Sequence, residues 1–464
     1  MAMGAGAFKI VLVVAVIAIA GGMITSQALD VPALFGNSHA DGPGDADISG
    51  TTADETPKEE TVPSEQSSGT TDVPGETPQV VPVSTHVDIS GMTEITDVTT
   101  IDVSGSYYID GRNIAADSGV AIGVAASDVL IVIKGDCTVT SEDDDAIRVS
   151  STSKLTIQGY DSDSTLTVEG ATDSGMGSGI GNTFLVNDYP VDSGDISIVD
   201  LNGLTSTANG KWGCAIGGDG ATVEITNTHI VSAIGGRLQT IDGTYLGKHV
   251  DSQGKNDVPG GPGIGGSVIT ITDSTIDLVV GGCKSAGIGA RYWQATSITI
   301  TNSAISEVYG GSGSAGIGGS REAHPDPTWQ TVTIVISDST ISAFGGENAA
   351  GIGSGYDVNC QVTQGEVHIE ISGDSVISAQ GGKYAAGIGT GYHYGNLTGF
   401  ITASVDISNV HAGQQKGSYS VAQDIGYGVI QIEYNGTPRE GTYVVEHGVS
   451  FTVGGAAISG PQWY

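Results

Sequence analysis

The chain has 464 residues, with 52 acidic against 16 basic side chains and a formal charge of −36. Such a field repels nucleic acid and leaves divalent cations or neutral ligands as the natural partners. Glycine, at 73 residues, is about twice its usual share yet follows no collagen period, and abundant Val, Ile, Thr and Ser favour strands over helices.

Met1 to Ile24 carries one positive charge, Lys9, followed by the apolar run Ile10 to Ala20. A charged start and then an apolar run is the order of a secretory signal, and Ser26-Gln-Ala28 offers a cleavage point before Leu29. With its flanking small residues the stretch approaches the ~20 residues of a membrane span. Residues 1–28 are therefore read as a signal peptide, with an uncleaved N-terminal anchor as the alternative. Either way the body is expected outside the cell, touching a membrane only through this segment.

Residues 29–85 turn to Asp, Glu, Thr, Pro, Ser and Gly, with 11 acidic residues against the single Lys58. Such a composition buries too little apolar surface to offset chain entropy, so a disordered acidic stalk is expected.

The body is organised by a recurring Gly-Ile-Gly. Its middle isoleucines are Ile180, Ile216 (in CAIGG), Ile264, Ile288, Ile317, Ile352 and Ile388, with a degenerate Ile425, at intervals of 36, 48, 24, 29, 35, 36 and 37 residues. The 24-residue interval shows the basic unit. Ser267-Val-Ile-Thr-Ile-Thr and Thr275-Ile-Asp-Leu-Val-Val each alternate apolar with polar residues, and Ser285-Ala-Gly-Ile-Gly289 closes the turn. Alternation of this kind is the pattern of a half-buried strand. Three strand-like pieces per repeat, none able to bury its apolar face alone, predict a solenoid of stacked coils, a parallel β-helix. The glycines beside Ile288 and Ile352 are expected to supply turn conformations or room for passing backbone. Gly311-Ser-Gly-Ser-Ala-Gly316 matches a dinucleotide-loop spacing, but no helical pattern follows to receive a phosphate, so the match is a by-product of the repeat.

Upstream, Val129 to Ile133, Ala146 to Val149, Leu155 to Ile157 and Ser164 to Val168 have the same texture and read as less regular first coils. The β-helix is thus placed at 86–428, with 429–464 as closing strands over the open end. Cys137, Cys214, Cys283 and Cys360 form no C-x-x-C pair, leaving open whether they are small buried residues or disulfide partners.

The Gly105-Ser-Tyr-Tyr-Ile109 start, Asp128-Val-Leu-Ile-Val-Ile-Lys134, the turn Glu142-Asp-Asp-Asp-Ala-Ile-Arg-Val149 and the AGIG repeats resemble secreted parallel β-helix proteins of the cellulose- and pectin-binding type, similar in fold to polysaccharide lyases. The resemblance covers roughly residues 90–428. It implies a right-handed helix and carbohydrate binding at the cell surface, helped by calcium. The AGIG motif is structural and carries no active-site residue across.

Chemistry is expected in the insertions that directly follow Gly-Ile-Gly, because stacking lines them along one edge. They carry Arg291, Tyr292 and Trp293; Arg321 and Trp329, with His324; Tyr356 and Asp357; and Tyr392, His393 and Tyr394. Aromatic residues are only 6% of the chain, so their concentration here is notable. Tyr and Trp bury the C–H faces of sugars while Arg, Asp and His bond hydroxyls, so these residues are the candidate polysaccharide or cell-wall glycan contacts. The same rings can instead stack on one another and seal the edge. Glu142, Asp143, Asp144 and Asp145 are candidate Ca²⁺ ligands, since clustered carboxylates supply the oxygens that Ca²⁺ takes. No other cofactor is expected. Non-catalytic polysaccharide binding is the leading reading. A polysaccharide lyase drafting Arg291, Arg321, Arg237 or Lys248, or a glycoside hydrolase, is the enzymatic alternative. A structural adhesin or spacer, bearing the sequons Asn396-Leu-Thr and Asn435-Gly-Thr, is the third.

Overall fold

The computed structural model describes residues 86–171, 176–183, 185–186, 189–210, 212–236, 260–289, 291, 294–321, 331–356, 365–392, 397–403, 406–412 and 424–426, with four short strands beyond. The expected signal or anchor and the acidic stalk lie outside the described residues, as does the insertion 237–259. Among the described residues every regular element is a strand, and no helix is long and apolar enough to cross a membrane.

The coils form a right-handed parallel β-helix of three sheets. A front sheet of thirteen strands, a back sheet of ten and a corner sheet of eleven are assembled from strands of successive coils. The shortest coil shows the path: corner strand Ile264–Gly265, front strand Val268–Thr272, back strand Thr275–Val280, then the next corner strand Ile288–Gly289. Gly-Ile-Gly is therefore a corner, and the dinucleotide-like Gly311 to Gly316 is simply the turn that leads into one. The earlier stretch joins the same sheets, Asp128–Lys134 in front and Asp136–Ser141 behind. At the far end Phe451–Val453 pairs with Leu397–Ala403 and continues the front sheet.

Stacking places like on like. Ile264, Ile288, Ile317, Ile352 and Ile388 pair coil to coil and are fully buried. Ile269 and Ile271 lie under Ile298 and Ile300, then Ile334 and Ile336, forming two further buried columns. Each such side chain contributes about 1.5–3 kcal/mol by leaving water, and no coil could collect it without a neighbour.

Two local devices hold the register. In the corner, Gly353 has φ 138°, and a Cβ there would lie 1.8 Å from the carbonyl oxygen of Gly389 in the next coil. Only glycine fits, for both of the reasons the sequence suggested. Between front and back strands, Asp200, Asn227, Asp273, Asn302 and Asp338 all hold left-handed backbone, with φ between 46° and 55°. Short polar residues tolerate that region. Their side chains link across coils, Asn227 Nδ2 donating to Asp200 Oδ1 at 2.7 Å and Asn302 Nδ2 to Asp273 Oδ1 at 2.6 Å. Just beyond, a hydroxyl ladder repeats: Ser274 Oγ accepts from the Thr228 N–H at 3.2 Å, and Ser303 Oγ from the Ser274 N–H at 3.2 Å. Buried donors at the bend are thereby satisfied.

Candidate functional site

The described ends of the post-corner insertions do line one edge. Four residues past the corner isoleucine stand Arg321, Tyr356 and Tyr392 on three successive coils. Main-chain bonds fix each of them. The Tyr356 N–H donates to the Gly313 carbonyl at 2.7 Å and the Tyr392 N–H to the Asn348 carbonyl at 2.9 Å. The Arg321 N–H donates to Ser314 Oγ at 2.9 Å. Gly313 is required beneath Arg321: at φ 72°, its Cβ would come within 2.6 Å of that side chain.

The side chains then meet. The Arg321 guanidinium lies 5.6 Å from the Tyr356 ring centre, and the Tyr356 and Tyr392 rings stack at 5.5 Å with 26° between planes. Tyr384 tilts against Tyr392 at 5.7 Å, and Lys383 Nζ stands 4.8 Å over the Tyr384 ring. These separations fall in the attractive range for ring pairs and for cations over rings. The result is a continuous row of three rings between two cations, half-buried along its length and exposed at Lys383.

Tyr384 and Lys383 escaped the sequence reading, which looked only after the corner. They sit before it, in the turn Gly381-Gly-Lys-Tyr-Ala-Ala386, where Tyr384 holds φ 67°. The mark in the sequence is spacing: Tyr384 stands four residues before its corner isoleucine, as do Trp212, Lys284 and Asn348, all with left-handed backbone.

Arg291 behaves differently from Arg321. It is only 2% exposed, and its guanidinium reaches back to Asp219, to the Trp212 carbonyl at 2.6 Å, and over the Trp212 ring at 5.4 Å. Burial pushes the Asp219 carboxyl above the usual carboxylate range against the pull of Arg291. Burial opposes the Arg291 charge too, but Asp219, with smaller help from Cys214 and Asp145, outweighs it and the guanidinium is held charged. In this structure Arg291 is an internal strut across coils and offers a ligand almost no surface.

The acidic turn is likewise occupied by protein donors. Asp144 and Asp145 both pair with Arg148, the second at 2.7 Å, while the Gly119 N–H donates to Asp143 at 2.6 Å. Asp145 is fully buried, and Oδ1 also accepts from the Ser178 N–H at 2.7 Å and from Thr183 Oγ1 at 2.5 Å. Burial raises its pKa despite Arg148. Asp145 thus points inward while Glu142 and Asp143 are exposed, so the four carboxylates are not gathered into one oxygen cage. Among the described residues no three of His, Cys, Asp and Glu come together in a way that could hold a metal ion.

Tyr292, Trp293, Trp329, Asp357, His393 and Tyr394 lie outside the described residues, as do His324, Arg237, Lys248 and Cys360. Cys137, Cys214 and Cys283 are buried. No family of known proteins, no curated protein and no solved structure matches the chain.

Proposed function

We propose that the protein is an exported, non-catalytic polysaccharide-binding β-helix that holds a glycan along the edge row of Arg321, Tyr356, Tyr392 and Tyr384. The observation that carries this reading is the continuity of the row: Tyr356 and Tyr392 stack one coil apart, each fixed by a backbone bond before any ligand arrives, and Tyr384 extends the row from the other side of the Tyr392 corner. Preformed apolar faces beside a few polar groups are the chemistry that sugars need, and rigidity lowers the cost of binding. Two rings a coil apart with a third beside them form an elongated platform, which suits an extended polymer. The N-terminal signal-like segment and acidic stalk support a position at the cell surface.

The test is retention of the full chain on a panel of polysaccharides, beside its melting temperature. Tyr356→Ala with Tyr392→Ala is expected to cut retention about tenfold or more while the chain stays folded. A lower melting temperature with unchanged retention would mean that the rings only seal the edge. Release of new reducing ends or unsaturated sugars by the wild-type chain would replace this reading by an enzymatic one.

A further inference from the structure

Away from the edge row, the outer face of the front sheet carries a second surface. Because coils pair in register, outward side chains form straight columns: Thr270 beside Thr299, and Thr272 beside Thr301 and Ser337. Strand geometry spaces them about 6.6 Å along each strand and about 4.8 Å from coil to coil. The three consecutive strands Val268–Thr272, Thr296–Thr301 and Val332–Ser337 contain no charged residue. In a chain with 52 acidic residues this is a neutral field, bounded on the preceding strand by Glu224, on the following one by Glu370 and at its turn end by the exposed Asp273 and Asp338. Within it the hydroxyls are in contact, Ser337 Oγ donating to Thr301 Oγ1 at 3.2 Å.

We propose that this field docks on the ordered face of a neutral, crystalline polysaccharide. The proposal rests on the polysaccharide reading above and narrows it to a ligand class. Three features select that partner. A polyanion is repelled by the charge of −36, whereas a neutral surface can rest on the three uncharged strands with the carboxylates left at the rim. The field is the outer face of a sheet with its short side chains in register, which fits a repeating plane of hydroxyls and C–H groups better than a lone chain that needs a groove. Each Thr offers a donor, an acceptor pair and a methyl, on a side chain already stiff at χ1, so little freedom is lost on contact. The field spans only about 17 by 14 Å from strand geometry, far below the ~800 Å² per side of a standard interface. Single contacts are therefore weak, and retention needs a partner offering many equivalent sites, as a crystal face does.

The experiment is depletion of the full chain from solution by microcrystalline cellulose and by crystalline chitin, each compared with its swollen amorphous form and with soluble oligosaccharides. Wild type is expected to prefer a crystalline form by about fivefold or more. Thr299→Lys, which places a charge in the middle of the field, and Thr299→Tyr, which lifts a ring above the register of short side chains while keeping strand propensity, should each lose that retention about tenfold. Both should keep the wild-type melting temperature and soluble-sugar binding. Crystalline retention unchanged in both variants, or no preference for crystalline over amorphous polymer, overturns the proposal. Binding of soluble chains alone overturns this inference and leaves the edge reading standing, whereas binding of neither defeats both. Ice-growth inhibition lost in Thr299→Tyr, without polysaccharide retention, would assign the lattice to ordered water and overturn it too.

Discussion

The same edge of the solenoid is built in two ways along its length. As far as the Ile288 coil it is an interior: Asp145 is fully buried, Asp219 and Arg291 are nearly so, and the three act through partners on other coils. In the later coils it is an exterior, where Arg321, Tyr356 and Tyr392 stand half-buried in a row. The corner column changes a little earlier. Two residues before the corner isoleucine stand Asp145, Ser178, Cys214 and Pro262, then Ala286, Ala315, Ala350 and Ala386. A backbone position that repeats in register can be used for an internal strut or freed for display. Buried charges fix their surroundings because each must be paired, so the change to display comes only after the Arg291 strut that follows Ala286.

The largest expected effect contrasts the two arginines. Arg291→Ala leaves the Asp219 carboxylate buried without its cation, and should cost about 3–5 kcal/mol in chemical denaturation. Arg321→Ala gives up a cation over a half-exposed ring and should cost about 1 kcal/mol. Since burial already raises the Asp219 pKa, Arg291→Ala should be less damaging at pH 4, where the carboxyl can take a proton, than at pH 8. Equal losses for the two variants would erase the distinction between strut and display.

Next comes the corner column. Asp145→Ala removes the acceptor of the Ser178 N–H and of Thr183 Oγ1 and strands part of the Arg148 charge, for an expected loss of about 2–3 kcal/mol. Cys214→Ala puts into the same column the residue that the later coils already use, and should cost under about 1 kcal/mol. The Cys214 thiol has no solvent access and burial pushes its pKa up to about 12, so it should also resist alkylation at pH 8 until the chain is denatured. A large loss for Cys214→Ala would show that the early corner cannot accept the later solution.

Most of the fold was legible because it is repetitive. Alternation in Val268 to Thr272, the Gly-Ile-Gly interval and its 24-residue minimum fix three strands per coil, and stacking does the rest. The edge position of Arg321, Tyr356 and Tyr392 followed from the same arithmetic. What the sequence hid was direction. Arg291 follows Gly-Ile-Gly by one residue more than the motif and looks like a surface arginine until Asp219, 72 residues earlier, is placed beside it. Asp145 hides in the same way among three exposed-looking acidic neighbours. Pairing across coils depends on the repeat length, which varies from 24 to 48 residues and blurs the alignment that would reveal it. Tyr384 is hidden for a simpler reason: its row is assembled from residues on both sides of the corner, and only one side carries the insertions that mark it.

The smallest effect concerns a pair that belongs to neither edge. On the back sheet His229 Nε2 lies 2.9 Å from Asp277 Oδ2 and Nδ1 lies 3.2 Å from the Asn202 carbonyl, so the imidazolium can donate to both. The bond to Asp277 raises the His229 pKa. A raised histidine stabilises the folded chain fully below the unfolded value of about 6.5 and loses that contribution as pH climbs through the folded value. Both partners are about a third exposed or more, so the contribution is at most about 1 kcal/mol. His229→Gln should therefore melt slightly below wild type at pH 5.5 and match it above the folded pKa. The buried carboxyls act with the same sign for a different reason: burial raises Asp145 and Asp219, so protonation favours the folded state there too. Arg291→Ala and His229→Gln should thus diverge as pH rises, the first losing more against wild type and the second less. A His229→Gln gap that widens above pH 8 would place the pair among the buried struts and end its use as the exposed reference.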